Sequence, residues 1–357
     1  MEAAPTHPDE PVDPTNVAGD GEGTDASDGP PPGPAEPTLT ATQRDVLDQL
    51  GASTSKRPTF DPQLGRRIRA HLEDALRQLL DGEGDHPPVD RAQLPLWVSK
   101  HHLALVHSCE GRYLAGLDEA FEWRVPIAVG TVVHRAIELG VFWDGPTTPR
   151  LLVDEAIESL TSGTDSIGDW LYALDEAGRA ELRGRAVELY SAFEETFPPL
   201  RSQWRPVTEA RLRADLHDGD VRLSGKVDLT LGQAHGDVAG KVLIDFKTGS
   251  VLPHHLDDLR FYALLETLAR GTPPRLLATA YLDSGRLRTE AVTPDLLAAA
   301  VRRTTDGIAA VVALRLGGDE PTLSPGPYCR WCPAQPTCET GQRWLAESED
   351  PERFDPD

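Results

Sequence analysis

The stretch KVLIDFKTG, residues 241–249, constrains the fold of this 357-residue sequence more than any other segment. Its apolar run at 242–244, with a glycine shortly before and after it, is typical of a buried strand. Side chains alternate along a strand, so Asp245 and Lys247 should leave one face together while Phe246 packs on the other. The sequence therefore predicts a paired acid and lysine at the end of a buried strand.

An Asp-x-Lys pair by itself is more often an ordinary ion pair than a site, since surface pairs are common and weak. A second strand-like run, LSGKVDLTL at 223–231, adds Asp228 and is followed by a loop rich in Gly, Gln, His and Asp. Two carboxylates and a lysine on adjacent strands would form a divalent-cation site with a cationic group beside it.

The segments GKVD (Gly225 to Asp228) and IDFKTG (Ile244 to Gly249) together resemble the PD-(D/E)XK nucleases, specifically the RecB and AddB type. The resemblance implies that Asp228, Asp245 and Lys247 are catalytic. The two acids would bind Mg²⁺ or Mn²⁺, and the lysine would position or activate the attacking water. It also implies an α/β restriction-endonuclease-like core, in which helices flank a mixed central sheet of about four or five strands.

A histidine lies within the segment GTVVHRAIELG, Gly130 to Gly140, which predicts a helix bounded by glycines. A single His in an apolar helix is usually a hydrogen-bonded core residue. The family, however, has a G-x-x-x-H helix that supplies a histidine to the metal, and His134 matches that form. The resemblance thus implies His134, Asp228 and Asp245 as metal ligands, with the Phe246 carbonyl as a further candidate.

Three residues near these motifs have open roles. Glu209 lies on a predicted strand at 207–216, where the family often has a glutamate, but a solvent-facing strand carboxylate is equally expected. The predicted helix 256–269 carries Tyr262, which is either a DNA contact or a helix-core aromatic. Asp258 stands where the family's Q-x-x-x-Y motif has Gln. An ionised Asp cannot donate a hydrogen bond and repels phosphate, so this departure places a DNA contact there in question.

The chain has four cysteines, and three of them are clustered near the C-terminus. Cys329, Cys332 and Cys338 form C-x-x-C-x5-C, while Cys109 ends a helix predicted to begin at Ser99. In a cytoplasmic protein this clustering indicates a metal site more than disulfides, and both structural Zn²⁺ and an iron-sulfur cluster fit four thiolates. The placement before and after the predicted nuclease core resembles the [4Fe-4S] site of AddB-type and CRISPR-associated exonucleases. It implies a cluster that joins the two ends of the domain.

The net charge of −23 is unexpected for a protein that binds nucleic acid. Part of it comes from residues 1–40, an acidic, Pro- and Gly-rich tail without Lys or Arg that we predict to be disordered. A second acidic tail is predicted at 346–357. The middle of the chain is still acidic, so any DNA-binding groove must be a local basic feature.

Between the tails we expect an N-terminal helical segment at 41–93 and a nuclease domain at 94–345, with a helical insert at about 150–200. No apolar run has the length of a membrane span, and the start of the chain resembles no signal peptide. We therefore expect a cytoplasmic protein with no membrane partner.

These features favour a metal-dependent DNA exonuclease that acts on single-stranded or frayed ends in DNA repair or recombination. No helicase-type phosphate loop is present, so a separate helicase or repair protein is a candidate partner besides DNA. The acidic charge and Asp258 favour an alternative, a non-cleaving DNA-binding or scaffold subunit with the same fold and cluster. An RNA-processing nuclease is a third hypothesis.

Overall fold

The structure is a computed structural model that describes residues 38–51, 57–82, 89, 91–117, 119–252 and 254–348. Nearly all of the tail predicted at 1–40, and residues 349–357 of the tail predicted at 346–357, lie outside the described residues. The described residues from Leu39 onward form one compact unit.

Six strands of the described chain form one mixed sheet. They are β1 (Leu96–Ser99), β2 (Val207–Leu216), β3 (Val221–Leu231), β4 (Val242–Lys247), β5 (Leu276–Tyr281) and β6 (Arg286–Ala291). The long strand β3 is central: β2 runs antiparallel along one edge, while the other edge pairs first with β1 in parallel and then with β4 in antiparallel orientation. Beyond β4 the sheet continues through parallel β5 and antiparallel β6.

Helices cover both faces of this sheet and bury two apolar cores. The helices are α1 (Ala41–Gln49), α2 (Leu64–Leu80), α3 (Lys100–Ser108), α4 (Glu110–Leu117), α5 (Val125–Val141), α6 (Pro149–Thr161), α7 (Ser166–Ala173), α8 (Glu176–Thr196), α9 (His255–Arg270), α10 (Pro294–Val312) and α11 (Glu339–Ser348). One core lies under α2, α3, α9 and α10, and the other lies under α1, α5, α6 and α8. None of the helices in the described ranges combines the length and apolarity that a membrane span requires.

The predicted mixed α/β architecture is confirmed, but two details of the prediction were wrong. The sheet has six strands instead of four or five, because the short strand β1 carries only four residues and no clear alternation signal. The predicted helix at 130–140 is longer, since α5 includes both of its glycines. A Cβ atom at Gly140 would lie 2.3 Å from the hydroxyl oxygen of Tyr190, so this glycine allows close helix packing and does not end the helix.

The central strand β3 is irregular at Asp228. Leu223 and Val227 belong to the core under α9, whereas Leu229 and Leu231 belong to the core under α5. All four have odd numbers and would face one side in a regular strand. The odd-numbered side chains of β3 therefore switch from one face of the sheet to the other beside Asp228. This irregularity directs the Asp228 carboxylate toward α5.

Candidate active site

Three acidic residues lie at the same level on three neighbouring strands. Leu229 of β3 and Ile244 of β4 form the last pair between these strands, so Asp228 and Asp245 lie next to each other where the pairing ends. On the other edge of β3, the pairing with β2 sets Glu209 opposite Asp228. The predicted metal-binding acids thus meet through strand pairing, and Glu209 joins them from β2.

His134 of α5 completes this group. Its Nδ1 lies 3.3 Å from Asp228 Oδ1, and its Nε2 lies 3.2 Å from the carbonyl oxygen of Phe246. The Phe246 N–H donates to Asp228 Oδ2 at 2.7 Å. The structure therefore brings together three members of the predicted metal set, namely His134, Asp228 and the Phe246 carbonyl.

The sequence alone does not decide whether Glu209 belongs to the site or faces solvent. The structure places it in this group. Candidate ligand atoms of His134, Glu209 and Asp228 all lie within 4.8 Å of one another. Glu209 has a φ of 52°, in the left-handed region that residues other than glycine rarely adopt. Its carboxylate also forms an ion pair with Lys226. The distorted backbone and the short distances indicate a fourth candidate ligand.

Asp245 belongs to a second set of contacts, a closed ring of four charges formed by Lys100, Asp245, Lys247 and Asp258. Lys247 Nζ lies 2.8 Å from Asp245 Oδ2 and 3.3 Å from Asp258 Oδ2. Lys100 Nζ lies 3.2 Å from Asp245 Oδ1 and 3.5 Å from Asp258 Oδ2. Each acid in this charge ring contacts both lysines. Asp258 therefore carries a charge that is balanced within the site.

Lys100 is a site residue that sequence reasoning missed. It occupies the first turn of α3, just after the predicted N-cap Ser99, and no spacing relative to Asp245 points to it. Its ammonium lies 4.9 Å from the centre of the Tyr262 ring. Tyr262 itself is only 2 % exposed, so the structure places its side chain in the core beside the charge ring and not at the surface.

The acids of this site have unequal proton affinities. Burial and the nearby charge of Asp228 raise the pKa of Asp245, although Lys100 and Lys247 oppose this effect. Burial also opposes ionisation of Asp228, but His134 and the Phe246 N–H outweigh it, so the pKa of Asp228 is lowered. Asp228 is consequently the more readily ionised of the two carboxylates.

The cationic groups respond to the same acids. Burial acts against the charged form of His134, yet Asp228 outweighs it and raises the pKa of the imidazole. For Lys100, burial is likewise outweighed by Asp245, Tyr262 and Asp258, so its pKa is raised and the ammonium stays charged. Burial raises the pKa of Tyr262 to about 12, which keeps the phenol neutral. The site therefore holds a charged lysine, Lys100, beside a carboxylate that resists ionisation, Asp245.

Residues 98–339 match the family model of the PD-(D/E)XK nuclease superfamily. The chain belongs to this superfamily. The matched range includes every predicted catalytic residue and all four cysteines, and it confirms the superfamily that the sequence motifs suggested.

Two solved structures resemble this PD-(D/E)XK chain at low identity. A candidate exonuclease from Eubacterium rectale is 12 % identical, with a TM-score of 0.41, over 69 % of this chain and 87 % of its own. The protein SSO0001 is 15 % identical, with a TM-score of 0.28, over 62 % of this chain and 98 % of its own. No curated protein matches the chain. These likenesses are too distant to carry a functional argument.

PD-(D/E)XK nucleases usually use a divalent metal, and the donor atoms of this site fit one. Carboxylate and carbonyl oxygens with one imidazole are ligands that Mg²⁺ or Mn²⁺ accept. Asp245 Oδ2 is buried and has an ion pair with Lys247 but no well-directed hydrogen bond. A cation beside Asp228 and Asp245 would also remove the repulsion that raises the pKa of Asp245.

The segments that carry the four cysteines lie close together in space, although Cys109 is far from the other three in the sequence. Tyr328, next to Cys329, donates its hydroxyl to the carbonyl of Ser108, next to Cys109, at 2.7 Å, although the two bonded residues are 220 positions apart. Burial and the nearby Cys109 and Cys329 raise the pKa of Tyr328. None of the four cysteines forms a disulfide.

Cys338 closes the same cluster. A Cβ atom at Gly341 would lie 3.4 Å from Cys329 Sγ and 3.5 Å from Cys338 Sγ. Backbone N–H groups of Gly326 and Gly341 each donate to a cysteine sulfur at 3.3 Å, namely Cys329 Sγ and Cys338 Sγ. Backbone amides directed at cysteine sulfurs are contacts of the kind that surround metal–thiolate centres.

Proposed function

We propose that this nuclease is a RecB- and AddB-type, metal-dependent DNA exonuclease that acts on single-stranded or frayed ends in DNA repair or recombination. One observation carries the proposal. Strands β3 and β4 and helix α5 bring His134, Asp228 and the Phe246 carbonyl together, with Asp245 and Lys247 immediately beside them. This is the constellation that phosphodiester hydrolysis with a metal requires.

His134, Asp228, Asp245 and the Phe246 carbonyl would hold Mg²⁺ or Mn²⁺, with Glu209 as a further ligand. The ion would act as a Lewis acid on the phosphoryl group and lower the pKa of a water molecule. The chain itself supplies Lys247, whose ammonium is oriented from both sides by Asp245 and Asp258. A positive group fixed in this way can orient the attacking water and stabilise charge that develops on the phosphoryl oxygens.

We further propose that the four cysteines hold a [4Fe-4S] cluster, with structural Zn²⁺ as the alternative. Cys109 lies before the nuclease core, and the C-x-x-C-x5-C segment of Cys329, Cys332 and Cys338 lies just after it. This arrangement, which is similar to that of AddB-type exonucleases, favours the iron-sulfur cluster over zinc. The cluster would join the segment at Cys109 to the segment at Cys329.

DNA is the proposed partner of the site, and a separate helicase or repair protein is a proposed partner of the whole chain, within the cytoplasm. The non-cleaving scaffold remains the alternative function because the net charge of −23 is unfavourable for holding DNA. The charge ring weakens one argument for that alternative, because both lysines balance Asp258 inside the site.

End-labelled single-stranded and double-stranded DNA should distinguish these functions. The parent protein should release labelled nucleotides with Mg²⁺ or Mn²⁺ and none with EDTA. Asp245→Ala should abolish release, because the site cannot replace this carboxylate. Asp237→Ala, which removes an exposed acid from the loop before β4, is the matched control and should cleave like the parent. Equal cleavage by the Asp245 variant would refute the catalytic assignment, and binding without any cleavage would establish the scaffold.

A further inference from the structure

Two large aromatic side chains stand exposed on the side of the molecule that carries the cysteines. Phe121, in the loop between α4 and α5, is 64 % exposed, and Trp331, between Cys329 and Cys332, is 71 % exposed. Water-exposed rings that line a cavity together usually mark a binding surface. The active-site chemistry described above uses neither ring.

Both rings line one cavity of about 390 Å³, which also includes Arg112 and Arg124. Ile127, at the start of α5, lines this cavity too. We call the space the aromatic groove. Its walls offer flat apolar faces and guanidinium groups, which bind the bases and phosphates of a nucleic-acid strand, together with the carboxylates of Glu119 and Glu122.

The aromatic groove adjoins the active site. Ile127 also lines a larger cleft of about 860 Å³, whose wall includes His134 and Glu209. Trp123 of the same cleft stacks edge-on against Phe121, with 4.8 Å between the ring centres. A strand lying in the aromatic groove could therefore continue past these rings toward the candidate metal ligands.

The charges along this path are mixed. Arg135 in the cleft pairs with Glu138, and Arg124 in the groove lies 3.9 Å from Glu122. The chain as a whole is acidic, with a net charge of −23. Phosphate contacts alone would therefore hold a polyanion weakly, and contacts with the bases must supply part of the affinity.

We propose that Trp331 and Phe121 form a stacking platform for the bases of a single DNA strand whose end enters the cleft at His134. Bases in a duplex are covered by their neighbours, so only an unpaired strand can lay its bases on these rings. The inference rests on the proposed nuclease function and adds to it the state of the substrate and the side chains that hold it.

The position of Trp331 connects the platform to the cysteines. Because Trp331 lies between Cys329 and Cys332, a metal group held by those thiolates would fix the loop that presents the ring. Removing that group should weaken strand binding, while His134 and Asp228 keep their contacts with Phe246 of β4.

The platform can be tested by measuring the binding of a labelled oligothymidine without divalent metal, with fluorescence anisotropy as the readout. Phe121→Ala and Trp331→Ala should each weaken binding by roughly fivefold to a hundredfold, the range measured for aromatic stacking partners of single strands. Phe142→Ala is the matched control, because Phe142 is 63 % exposed and lines neither cavity. It should bind like the parent. Trp331→Phe, which keeps a ring, should recover most of the affinity.

An abasic strand of the same length and charge distinguishes contacts with the bases from contacts with the phosphates. The parent should bind this abasic strand more weakly than oligothymidine, and Phe121→Ala should reduce the difference. The platform is refuted if Phe121→Ala and Trp331→Ala bind as tightly as Phe142→Ala, or if the parent binds both strands equally. Clearly tighter binding of an RNA strand would refute DNA as the occupant.

The outcome separates this inference from the nuclease proposal. Unchanged strand binding by the aromatic variants, with metal-dependent cleavage intact, would reject the platform alone. If the aromatic variants lose strand binding and the parent never cleaves DNA, the platform would be supported and the nuclease proposal would be rejected.

Discussion

Lys100 Nζ lies 3.2 Å from Asp245 Oδ1, although 145 positions separate the two residues in the chain. The pairing of β1 with β3 explains the contact: Ser99 is aligned with Ser224, so the first turn of α3 begins beside the strand that carries Asp228. The second lysine of the charge ring is thereby fixed by the sheet itself.

Replacing Lys100 by Met should make cleavage more sensitive to acid. Asp245 would lose one of the two cations that lower its pKa, while burial and Asp228 would continue to raise it. A higher pKa means that a higher pH is required to ionise the carboxylate. We expect cleavage to fall severalfold at neutral pH and to recover partly in alkaline buffer, where Asp245 ionises despite its raised pKa.

Two further variants check that interpretation. Lys100→Arg keeps the positive charge and should retain most of the activity. Lys100→Met combined with Asp258→Asn removes one charge of each sign and should cleave faster than Lys100→Met alone. A pH–rate profile of Lys100→Met identical to that of the parent would show that Lys100 has no influence on Asp245.

Lys247→Ala should lower turnover far more than DNA affinity. One charge contributes modestly to the binding of a polyanion, whereas a group beside Asp245 acts on the transition state of the reaction. Single-turnover rates and equilibrium binding, measured on the same oligonucleotide, give the two quantities. Equal losses in both would mean that Lys247 is a simple phosphate contact.

Gly225→Ala should destabilise the fold through a clash with Tyr262. An added Cβ would lie 2.3 Å from Tyr262 Cε1 and 2.9 Å from Cδ1, and the ring is too deeply buried to move aside. We expect a loss of about 1–3 kcal/mol in the free energy of unfolding, which is typical of overpacking. Thermal or urea unfolding measures it.

The control for this prediction is Gly184→Ala in α8, where an added Cβ meets nothing within 4 Å. That exchange should be neutral or slightly stabilising, because alanine favours a helix. Gly225→Ala together with Tyr262→Ala should destabilise less than the sum of the two single changes. Additive losses would mean that Gly225 has another role.

The sequence predicts the contacts of this site that join residues close together in the chain better than those that join distant segments. Asp245 and Lys247 share a face because they are two residues apart on a strand, so alternation alone predicts their ion pair. Asp228 and His134 were predicted as partners from the family motifs, and the structure places them 3.3 Å apart. Their fine geometry depends on the irregular facing of β3, which no sequence period reveals.

Lys100 and Glu209 show why the rest was missed. Lys100 depends on the parallel pairing of a four-residue strand with a distant one, and so short a strand carries little pattern. The position of the Glu209 side chain depends on a left-handed backbone conformation, and a glutamate in the sequence does not predict that conformation. Asp258 was interpreted as a repulsive charge because its two balancing lysines lie on β4 and α3, outside its own helix.

His255 should make folding stability depend on pH. Burial and the nearby Lys247 lower the pKa of this histidine to about 4. Its Nδ1 lies 3.2 Å from the Tyr281 hydroxyl and 3.4 Å from the Leu252 N–H, which suits an unprotonated nitrogen that accepts. In the unfolded chain the pKa of this histidine is near its ordinary value of 6.5.

Between these two pKa values the unfolded state binds more protons, so the free energy of unfolding should fall as the pH drops from 6.5 toward 4. His255→Gln removes this contribution and should flatten the dependence, as measured by urea unfolding at several pH values. His235→Gln changes an exposed histidine and is the control. A parent and a His255 variant with parallel pH dependences would contradict the assignment.

The final prediction separates an iron-sulfur cluster from zinc. Anaerobically purified protein should be brown, with broad absorbance near the blue end of the visible spectrum and about four irons per chain, because four thiolates match a cubane cluster. The hydrogen bond between Tyr328 and Ser108 holds the two cysteine-bearing segments together even without metal, but only weakly compared with a cluster bound to both.

Cys109→Ala should therefore lose iron and become sensitive to protease near the ends of the domain, since one of the two joined segments loses its ligand. His134→Ala is the matched control: it alters the candidate metal site on α5 and should keep both the iron and the protease resistance. Iron content by colorimetry and limited proteolysis of the same preparations measure both effects. Colourless protein that contains a single zinc would reject the iron-sulfur cluster, and it would leave the nuclease proposal dependent on His134, Asp228, Asp245 and Lys247 alone.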